Sequence, residues 1–388
     1  MHRFLYLILF GSTSLFGDVS AVYLSWYGDP TSTMTVQWHT PPGESDLLQL
    51  EMPDKTTLRV TGTSHPFANQ PVLVHTVTLS NLTPDTEYAF RIGEAATRYL
   101  FKTAPKTLDQ PLRFVIGGDL YHAMTAFRTM SQTVASQDPL FAVLGGDIAY
   151  AENNPGFFAK APAKQWLQFL AEWTKIMKSP SGRLIPFLLV PGNHDIRPKD
   201  GHLFFSLFAF PEKVLYRAVD FGSYLSLILL DSGHFSPIAG AQTSWLDEAL
   251  SKRANRSYVF PVYHVGAYPS FYAYTSGEAT SVRTHWCPLF DQYGIKAAFE
   301  NHSHTYKKTF PIKGETLDPD GTVYFGDGAW GVKTRRTHGA WYLEKTGSKN
   351  HVYLIEMTQE AASIQAIDLY GNILDKASVA SSQLSNNQ

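Results

Sequence analysis

Six short apolar runs in this chain each end on side chains able to hold a metal ion, and that coincidence restricts the fold more than any other feature. LRFVIGGD closes on Asp119, FAVLGGDIAY carries Asp147 and Tyr150, and FLLVPGNHD carries Asn193, His194 and Asp195. SYVFPVYH closes on His264 and KAAFENHSH carries His302 and His304, while YLSLILLD, ending on Asp231, lies between. Runs of Val, Ile, Leu and Phe that stop at Gly, Pro or Asn have the pattern of strands buried on both faces. Ligands of open α/β sheets bind beyond the carboxyl ends of such strands. The pattern predicts that Asp119, Asp147, Tyr150, Asn193, His264, His302 and His304 gather at one edge of one sheet, in the outline of a dinuclear metal site.

Bulk properties bound the rest. A chain of 388 residues, 44% hydrophobic and 17% charged, is long and apolar enough for two folded domains. A net charge of −2 lacks the basic footprint of a nucleic-acid binder. It also provides no long-range field for an anionic substrate, so attraction must be local to the site. Cys287 is the single cysteine, which excludes an intrachain disulfide. At the N-terminus, His2 and Arg3 precede an apolar core from Phe4 to Phe10 and then small polar residues. This is the pattern of a secretory signal peptide over residues 1–19, with a buried first strand as the alternative. A secreted or periplasmic protein is the expectation, with no stable insertion in a membrane.

Residues 20–104 alternate apolar and polar in TMTVQWH, HTVTLSNL, TEYAFRIG and RYLFKT, separated by turn clusters. That spacing predicts a small antiparallel sandwich. TAPKTLDQP reads as a linker, and residues 105–380 alternate strand and helix. Helices are expected over AMTAFRTMSQTVAS, AKQWLQFLAEWTKIMKS, SLFAF and TSWLDEALSKR, with Trp166, Leu167, Leu170 and Trp173 on one core-facing stripe. The tail from Glu315 returns to strand alternation and is expected to finish a second sheet.

Carboxylate, phenol, amide and imidazole donors without a thiolate suit a hard or borderline cation. A metal pair needs a ligand that reaches both ions, and Asp147 is the natural bridge, with Tyr150 three residues beyond it. A coordinated tyrosinate favours a trivalent ion. Asp231 ends a strand too, but a structural role suits it better.

The blocks GGDLYH, GGDIAY, GNHD, VYH and NHSH, in this order, resemble the calcineurin-like metallophosphoesterases. Tyr150 and a front domain whose NLTPDTEYAFRI segment resembles fibronectin type III narrow the resemblance to the purple acid phosphatases. The resemblance implies a fibronectin III-like all-β sandwich followed by an α/β/β/α four-layer sandwich. It implies a dinuclear centre of Fe3+ with Fe2+, Zn2+ or Mn2+. Asp119, Asp147, Tyr150 and His304 would hold the trivalent ion, and Asp147, Asn193, His264 and His302 the second. The implied reaction is hydrolysis of phosphate monoesters by hydroxide generated at the metal pair. His194 would contact the phosphate or the leaving oxygen, and Asp195 would either orient it or cap a following helix. Small phosphorylated molecules are the implied partners, and members of the family often pair as homodimers.

The chain departs from the family pattern in three places. Tyr121 stands where the first block carries its second glycine, so its ring must turn elsewhere or crowd the site. Asn301 replaces the glycine of the last block; asparagine tolerates left-handed backbone and could preserve the ligand geometry. After His264, where plant members carry acid histidines, this chain has Tyr268, Tyr272 and Tyr274, which leaves His194 or water to protonate the leaving group. Four further substrate contacts are candidates: His122, Tyr268, Tyr272 and the basic pair Lys333 and Arg335 taken together behind GDGAWG. For His122 an exposed loop histidine is the plainer reading, and for the basic cluster a solvated turn. A phosphodiesterase or nucleotide hydrolase on the same site, or a metal-poor binding protein on this scaffold, are the alternatives to the phosphomonoesterase.

Overall fold

A computed structural model describes residues 19–152, 161–196 and 201–382. The signal peptide expected over residues 1–19 lies outside the described residues except for Val19. Eight strands fill the front of the chain: β1 (Ala21–Ser25), β2 (Met34–Thr40), β3 (Leu47–Glu51), β4 (Thr57–Thr61), β5 (Thr63–Pro66), β6 (Leu73–Leu79), β7 (Glu87–Ile92) and β8 (Tyr99–Lys102). They form two antiparallel sheets, ordered β1-β2-β6-β5 and β4-β3-β7-β8. Tyr88 is buried at the start of β7, and its hydroxyl accepts from the Thr83 N–H at 2.8 Å. That is the corner tyrosine expected of a fibronectin-like sandwich, tying the Leu-Thr-Pro-Asp turn to the strand that follows.

The second part opens with β9 (Leu112–Gly117), α1 (Met124–Ser136), β10 (Phe141–Leu144), α2 (Pro162–Ile176), β11 (Phe187–Leu189) and α3 (His202–Leu207). It continues through β12 (Arg217–Phe221), β13 (Leu225–Leu229), α4 (Ala241–Ser251), β14 (Tyr258–Val262), α5 (Gly277–His285), α6 (Cys287–Gln292) and β15 (Ala297–Phe299). The end of the chain supplies β16 (Tyr306–Thr309), β17 (Ile312–Lys313), β18 (Thr316–Leu317), β19 (Val323–Gly326), β20 (Leu343–Gly347), β21 (Val352–Met357), β22 (Ala361–Ile367) and β23 (Ile373–Ala380).

Two mixed sheets result, β11-β10-β9-β21-β22-β23 and β12-β13-β14-β15-β19-β16-β20. Alternate residues explain the layering. Phe114 and Ile116 of β9 face inward and share a core with Leu227 and Phe260 of the other sheet. Val115 faces outward beneath Phe127, Met130 and Trp166 of the helices. On the far side Ile228, Tyr263 and Ala298 pack under Leu246, Val282 and Trp286. Burial of both strand faces is what the unbroken apolar runs signalled.

Three expectations are corrected. The apolar runs divide between two facing sheets, not one. The tail is shared, with β19 and β20 joining the seven-stranded sheet while β21 to β23 complete the six-stranded one. The helix expected over SLFAF instead spans His202–Leu207, leaving Phe208 to Phe210 outside it. On α2 it is Trp166, Phe169, Leu170 and Trp173 that are fully buried, with Leu167 at the edge of the stripe.

Candidate metal centre

Parallel pairing of β9, β10 and β11 brings three loops to one end of the first sheet, and parallel β14 and β15 bring two from the second. Asp119 follows β9, Asp147 and Tyr150 follow β10, and Asn193, His194 and Asp195 follow β11. His264 follows β14, and His302 and His304 follow β15. Four of these residues adopt left-handed backbone although none is glycine: Asp119 (φ 58°), Asp147 (φ 49°), Tyr150 (φ 53°) and His304 (φ 57°). Such conformations persist only where the surroundings impose them, and they cluster at functional sites. The turn before Asp147 needs glycine for a separate reason. A Cβ on Gly146, itself at φ 94°, would stand 2.6 Å from His264 Nδ1.

The donors fall into two groups on either side of Asp147. In one, the Tyr150 hydroxyl donates to Asp119 Oδ1 at 2.6 Å, and His304 Nε2 lies 2.8 Å from the same oxygen. In the other, His264 Nε2 lies 3.2 Å from Asn193 Oδ1, 3.0 Å from His302 Nδ1 and 3.5 Å from Asp147 Oδ2. One ligand atom each from Asp147, His264 and His302 fits within 4.8 Å of the others. The Gly145 carbonyl, which can only accept, takes the Nδ1–H of His264 at 2.9 Å and so turns Nε2 toward the cluster.

Electrostatics separate the roles. Burial raises the Asp119 pKa, opposed by His304. Burial, then Asp119 and Asp147, push the Tyr150 phenol well above its ordinary value, so it keeps the proton it donates to Asp119. Burial works against ionisation of Asp147, but His264, His194 and His302 outweigh it and hold this carboxyl below the usual range. Burial disfavours a charged His264, yet Asp147 overrides it and raises the imidazole to about 9. His302 is driven well below 6.5 by burial and by His264.

These residues fit a pair of cations. Asp119 Oδ2 is buried without a hydrogen-bond partner. Two imidazole nitrogens face each other at 3.0 Å, and the donors are oxygen and nitrogen throughout. The field that charges His264 and binds the Tyr150 proton is one in which metal ions would replace protons.

The remaining predicted residues are placed as follows. The His194 ring stacks on Tyr150 with centroids 5.0 Å apart, its Nε2 is 3.9 Å from Asp147 Oδ2, and its side chain is 24% exposed. Asp195 neither orients the His194 ring nor caps a helix. Its Oδ1 accepts from the N–H groups of Ile148 and Ala149 at 2.7 and 3.2 Å, and its Oδ2 from Gly192 at 3.0 Å. It joins the loop of Asp147 to the loop of Asn193. His122 is not an exposed loop histidine: it is half-buried, edge-on to Tyr150 at 4.9 Å. Tyr268 is fully buried against Tyr324 and Tyr342, so the expected substrate contact is a core residue. Tyr272 lies flat on His302, centroids 4.6 Å apart at 11°, and its hydroxyl accepts from Arg335 at 2.5 Å. Lys333 is exposed to solvent.

Two of the three departures from the family pattern, Tyr121 and Asn301, have packing answers. Tyr121 turns away from the donors and packs edge-on to Phe127 and Phe169, centroids 5.1 and 5.7 Å away. Asn301 does not use left-handed backbone; His304 does. The Asn301 amide fills the space over Gly145, where a Cβ would approach it to 2.1 Å, and donates to the Tyr263 carbonyl at 3.1 Å.

One residue at the site escaped the sequence reading. His234 sits 5.5 Å from the His264 ring, centroid to centroid. The buried Asp231 carboxylate accepts from the N–H groups of His234, Phe235 and Ser236 at 2.8, 2.9 and 2.5 Å, and so folds the loop that carries His234 inward. The structural role expected of Asp231 is this one. Its signal was a histidine three residues beyond a strand-terminal Asp.

The profile described as "Purple acid Phosphatase, N-terminal domain" matches residues 19–103, and that of the "Calcineurin-like phosphoesterase" matches residues 112–306. Purple acid phosphatase 23 of Arabidopsis thaliana is 28% identical over 66% of this chain and 62% of its own length. Purple acid phosphatase 13 of the same plant is 25% identical over 67% of this chain and 54% of its own. The chain thus spans little more than half the length of these curated relatives. The structure of purple acid phosphatase PPD1 from yellow lupin (Lupinus luteus) seeds superposes with a TM-score of 0.80 at 16% identity, covering 92% of this chain and 74% of that one, which establishes the shared fold. The chain belongs to the purple acid phosphatase family of the calcineurin-like phosphoesterases.

Proposed function

We propose that this protein hydrolyses phosphate monoesters at a pair of metal ions. The observation that carries the reading is the grouping of seven donors, Asp119, Tyr150 and His304 in one set and Asp147, Asn193, His264 and His302 in the other, with neighbouring histidines holding the Asp147 carboxyl ionised. Asp119, Tyr150 and His304 would hold one ion, Asn193, His264 and His302 the other, with Asp147 shared. Tyr150 gives up its proton only to a strong local charge, because burial and two carboxylates hold that proton on; this supports trivalent iron beside Tyr150, with iron, zinc or manganese opposite. When bound, such a pair acidifies water and neutralises charge on a phosphoryl group.

The chain's own residues complete the site. His194, partly exposed beside Asp147, would donate to the phosphate oxygens or to the leaving oxygen. None of the three tyrosines after His264 substitutes for an acid histidine: Tyr268 is in the core, burial raises the Tyr272 phenol above its ordinary value, and Tyr274 donates to Glu315 at 2.5 Å. The leaving group would therefore take its proton from His194 or from water. A metal-poor binding protein loses its support, since Tyr121 and Asn301, the residues that suggested it, pack clear of the donors. The leader-like N-terminus supports an exported protein, and among the described residues no helix is long and apolar enough to cross a membrane. Small phosphorylated molecules would be its substrates.

The test is metal analysis together with parallel assays on p-nitrophenyl phosphate and bis(p-nitrophenyl) phosphate. Two metals per chain, a violet colour from tyrosinate–iron absorption and faster turnover of the monoester are expected. Faster turnover of the diester would overturn the monoester reading, and a chain that holds no metal would overturn the hydrolase.

A further inference from the structure

Arg335 stands at the rim of the donor cluster, held there by four contacts. Its backbone N–H donates to the His304 carbonyl at 2.9 Å. Its guanidinium lies over the rings of Phe271 and Tyr272, 4.8 and 5.2 Å from their centroids, and one N–H donates to the Tyr272 hydroxyl. Tyr272 is in turn stacked flat on His302. A guanidinium carries five N–H donors in a planar fork, and this one spends a single donor within the protein. Among the described residues no carboxylate pairs with it. Phe271 is 42% exposed, which puts the cation at the open mouth and not in the core.

An unpaired cation clamped between two aromatic rings has already given up its conformational freedom, and its remaining donors form the fork that matches phosphate oxygens. Neutralising Asp119 and Asp147 is not its main task once metal ions are bound, because those ions do so directly. The net positive charge that remains suits a substrate with more than one anionic group.

We propose that Arg335 is a specificity residue that binds a second phosphate on the substrate, next to the one being cleaved. The site then favours compounds with two neighbouring phosphates, inorganic pyrophosphate being the simplest, over monoesters of uncharged alcohols. Cleavage of pyrophosphate adds one water across the P–O–P bridge and releases two orthophosphates, so no further reactant is required. The inference rests on the proposed hydrolase and deepens it.

The test compares the metal-loaded full chain with Arg335→Met and Arg335→Lys. kcat/KM is measured on pyrophosphate and on p-nitrophenyl phosphate, and calorimetry measures binding of methylenediphosphonate and of methylphosphonate, with metal content checked after each titration. Arg335→Met is expected to lose about ten- to a hundred-fold more on pyrophosphate than on the aryl ester, the range of charge-assisted hydrogen bonds, and to lose its preference for the diphosphonate. Arg335→Lys keeps the charge without the fork and should fall between. Equal losses on both substrates would mean that Arg335 only supports Tyr272 and His302, and would overturn the proposal, as would no loss on pyrophosphate. A wild type that binds the two phosphonates equally overturns it as well, with the hydrolase untouched. A wild type inert toward both substrates that still prefers the diphosphonate through Arg335 would remove the hydrolase and leave this inference standing.

Discussion

Replacing Asp195 by Asn should loosen the metal centre without touching any donor. The carboxylate accepts three backbone N–H groups, from Ile148 and Ala149 on one oxygen and Gly192 on the other. An amide has one accepting oxygen. If that oxygen keeps Ile148 and Ala149, the amide nitrogen meets the Gly192 N–H, donor against donor, in a site where Asp195 is 1% exposed. One charge-assisted bond is lost and one buried donor is stranded, together about 2–4 kcal/mol. A chain of 388 residues that melts as one unit gains about 0.8 kcal/mol/K of entropy on unfolding, so about 1 kcal/mol moves the melting point by roughly 1 °C. A fall of about 2–5 °C is expected on that conversion. The two loops that Asp195 joins carry Asp147 and Asn193, so metal affinity should drop about 10–100-fold, as when groups supporting ligands are removed elsewhere. Differential scanning calorimetry, with metal content measured after dialysis against a weak chelator, reads both. A variant that melts within about 1 °C of the wild type and retains its metal would refute the argument, since three hydrogen bonds would then be holding nothing.

Tyr121→Gly, which restores the family's residue, should destabilise by about 3–5 kcal/mol through loss of a buried aromatic, and should not raise activity; a gain in kcat would show that the ring crowds the site. Lys307→Met strands Glu300 and Asp327, which pair with it at 0% side-chain exposure, and should cost about 3–5 kcal/mol in urea unfolding, partly restored by adding Glu300→Leu. Stability should fall on acidification from about pH 6.5 toward pH 4. Burial, helped by His75, holds His39 down to about 3, and burial holds His351 to about 4. Both are neutral in the folded chain but take up protons near pH 6.5 when unfolded, so their contribution is complete above that pH. Each then withdraws about 1.4 kcal/mol per pH unit until its folded value is reached. A urea midpoint flat from pH 7 to 4 would contradict this. Both domains should melt in one calorimetric transition, because Val36 and Trp38 of the front sandwich share a core with Phe141 and Phe221 of the second part; two resolved transitions would show that this core is not continuous.

The donors were legible because their chemistry and position coincide: one such residue after an apolar run says little, as Asp231 shows, but seven in order say much. What stayed hidden depended on pairing and direction. The runs ending at Asp119 and at His264 are alike in sequence, and nothing local says that β9 and β14 belong to different sheets. Tyr121 follows its block by two residues, and only the packed positions of Phe127 and Phe169 decide which way its ring turns. Asp195 adjoins His194 and precedes a helix, which suggests orienting the one or capping the other, whereas its partners include backbone N–H groups 46 and 47 residues away. Helices α5 and α6 escaped because their few buried residues, such as Ala279, Val282, Cys287 and Phe290, make no long stripe and Pro288 interrupts the pattern.

Those corrections share a physical theme, which is that the site is fixed from behind. Asp119, Asp147, Tyr150 and His304 hold backbone conformations that cost energy in isolation, and each is compensated by something the donors themselves do not supply. Asp195 clamps the turn after Asp147, while Asp327 accepts from the N–H groups of His302 and Ser303 and is itself paired with buried Lys307. The front sandwich belongs to this support. Thr174 of α2 both accepts from the Val22 N–H and donates to the Val22 carbonyl, and Tyr23 and Gln37 both donate to the carbonyl of Leu207 in α3. Helices α2 and α3 flank the segment that carries β11 and Asn193. The front domain, which resembles fibronectin type III in its sequence, is here built into the foundation of the candidate metal centre. Its expected effect on catalysis is therefore through the placing of Asn193 and His194, not through contact with substrate.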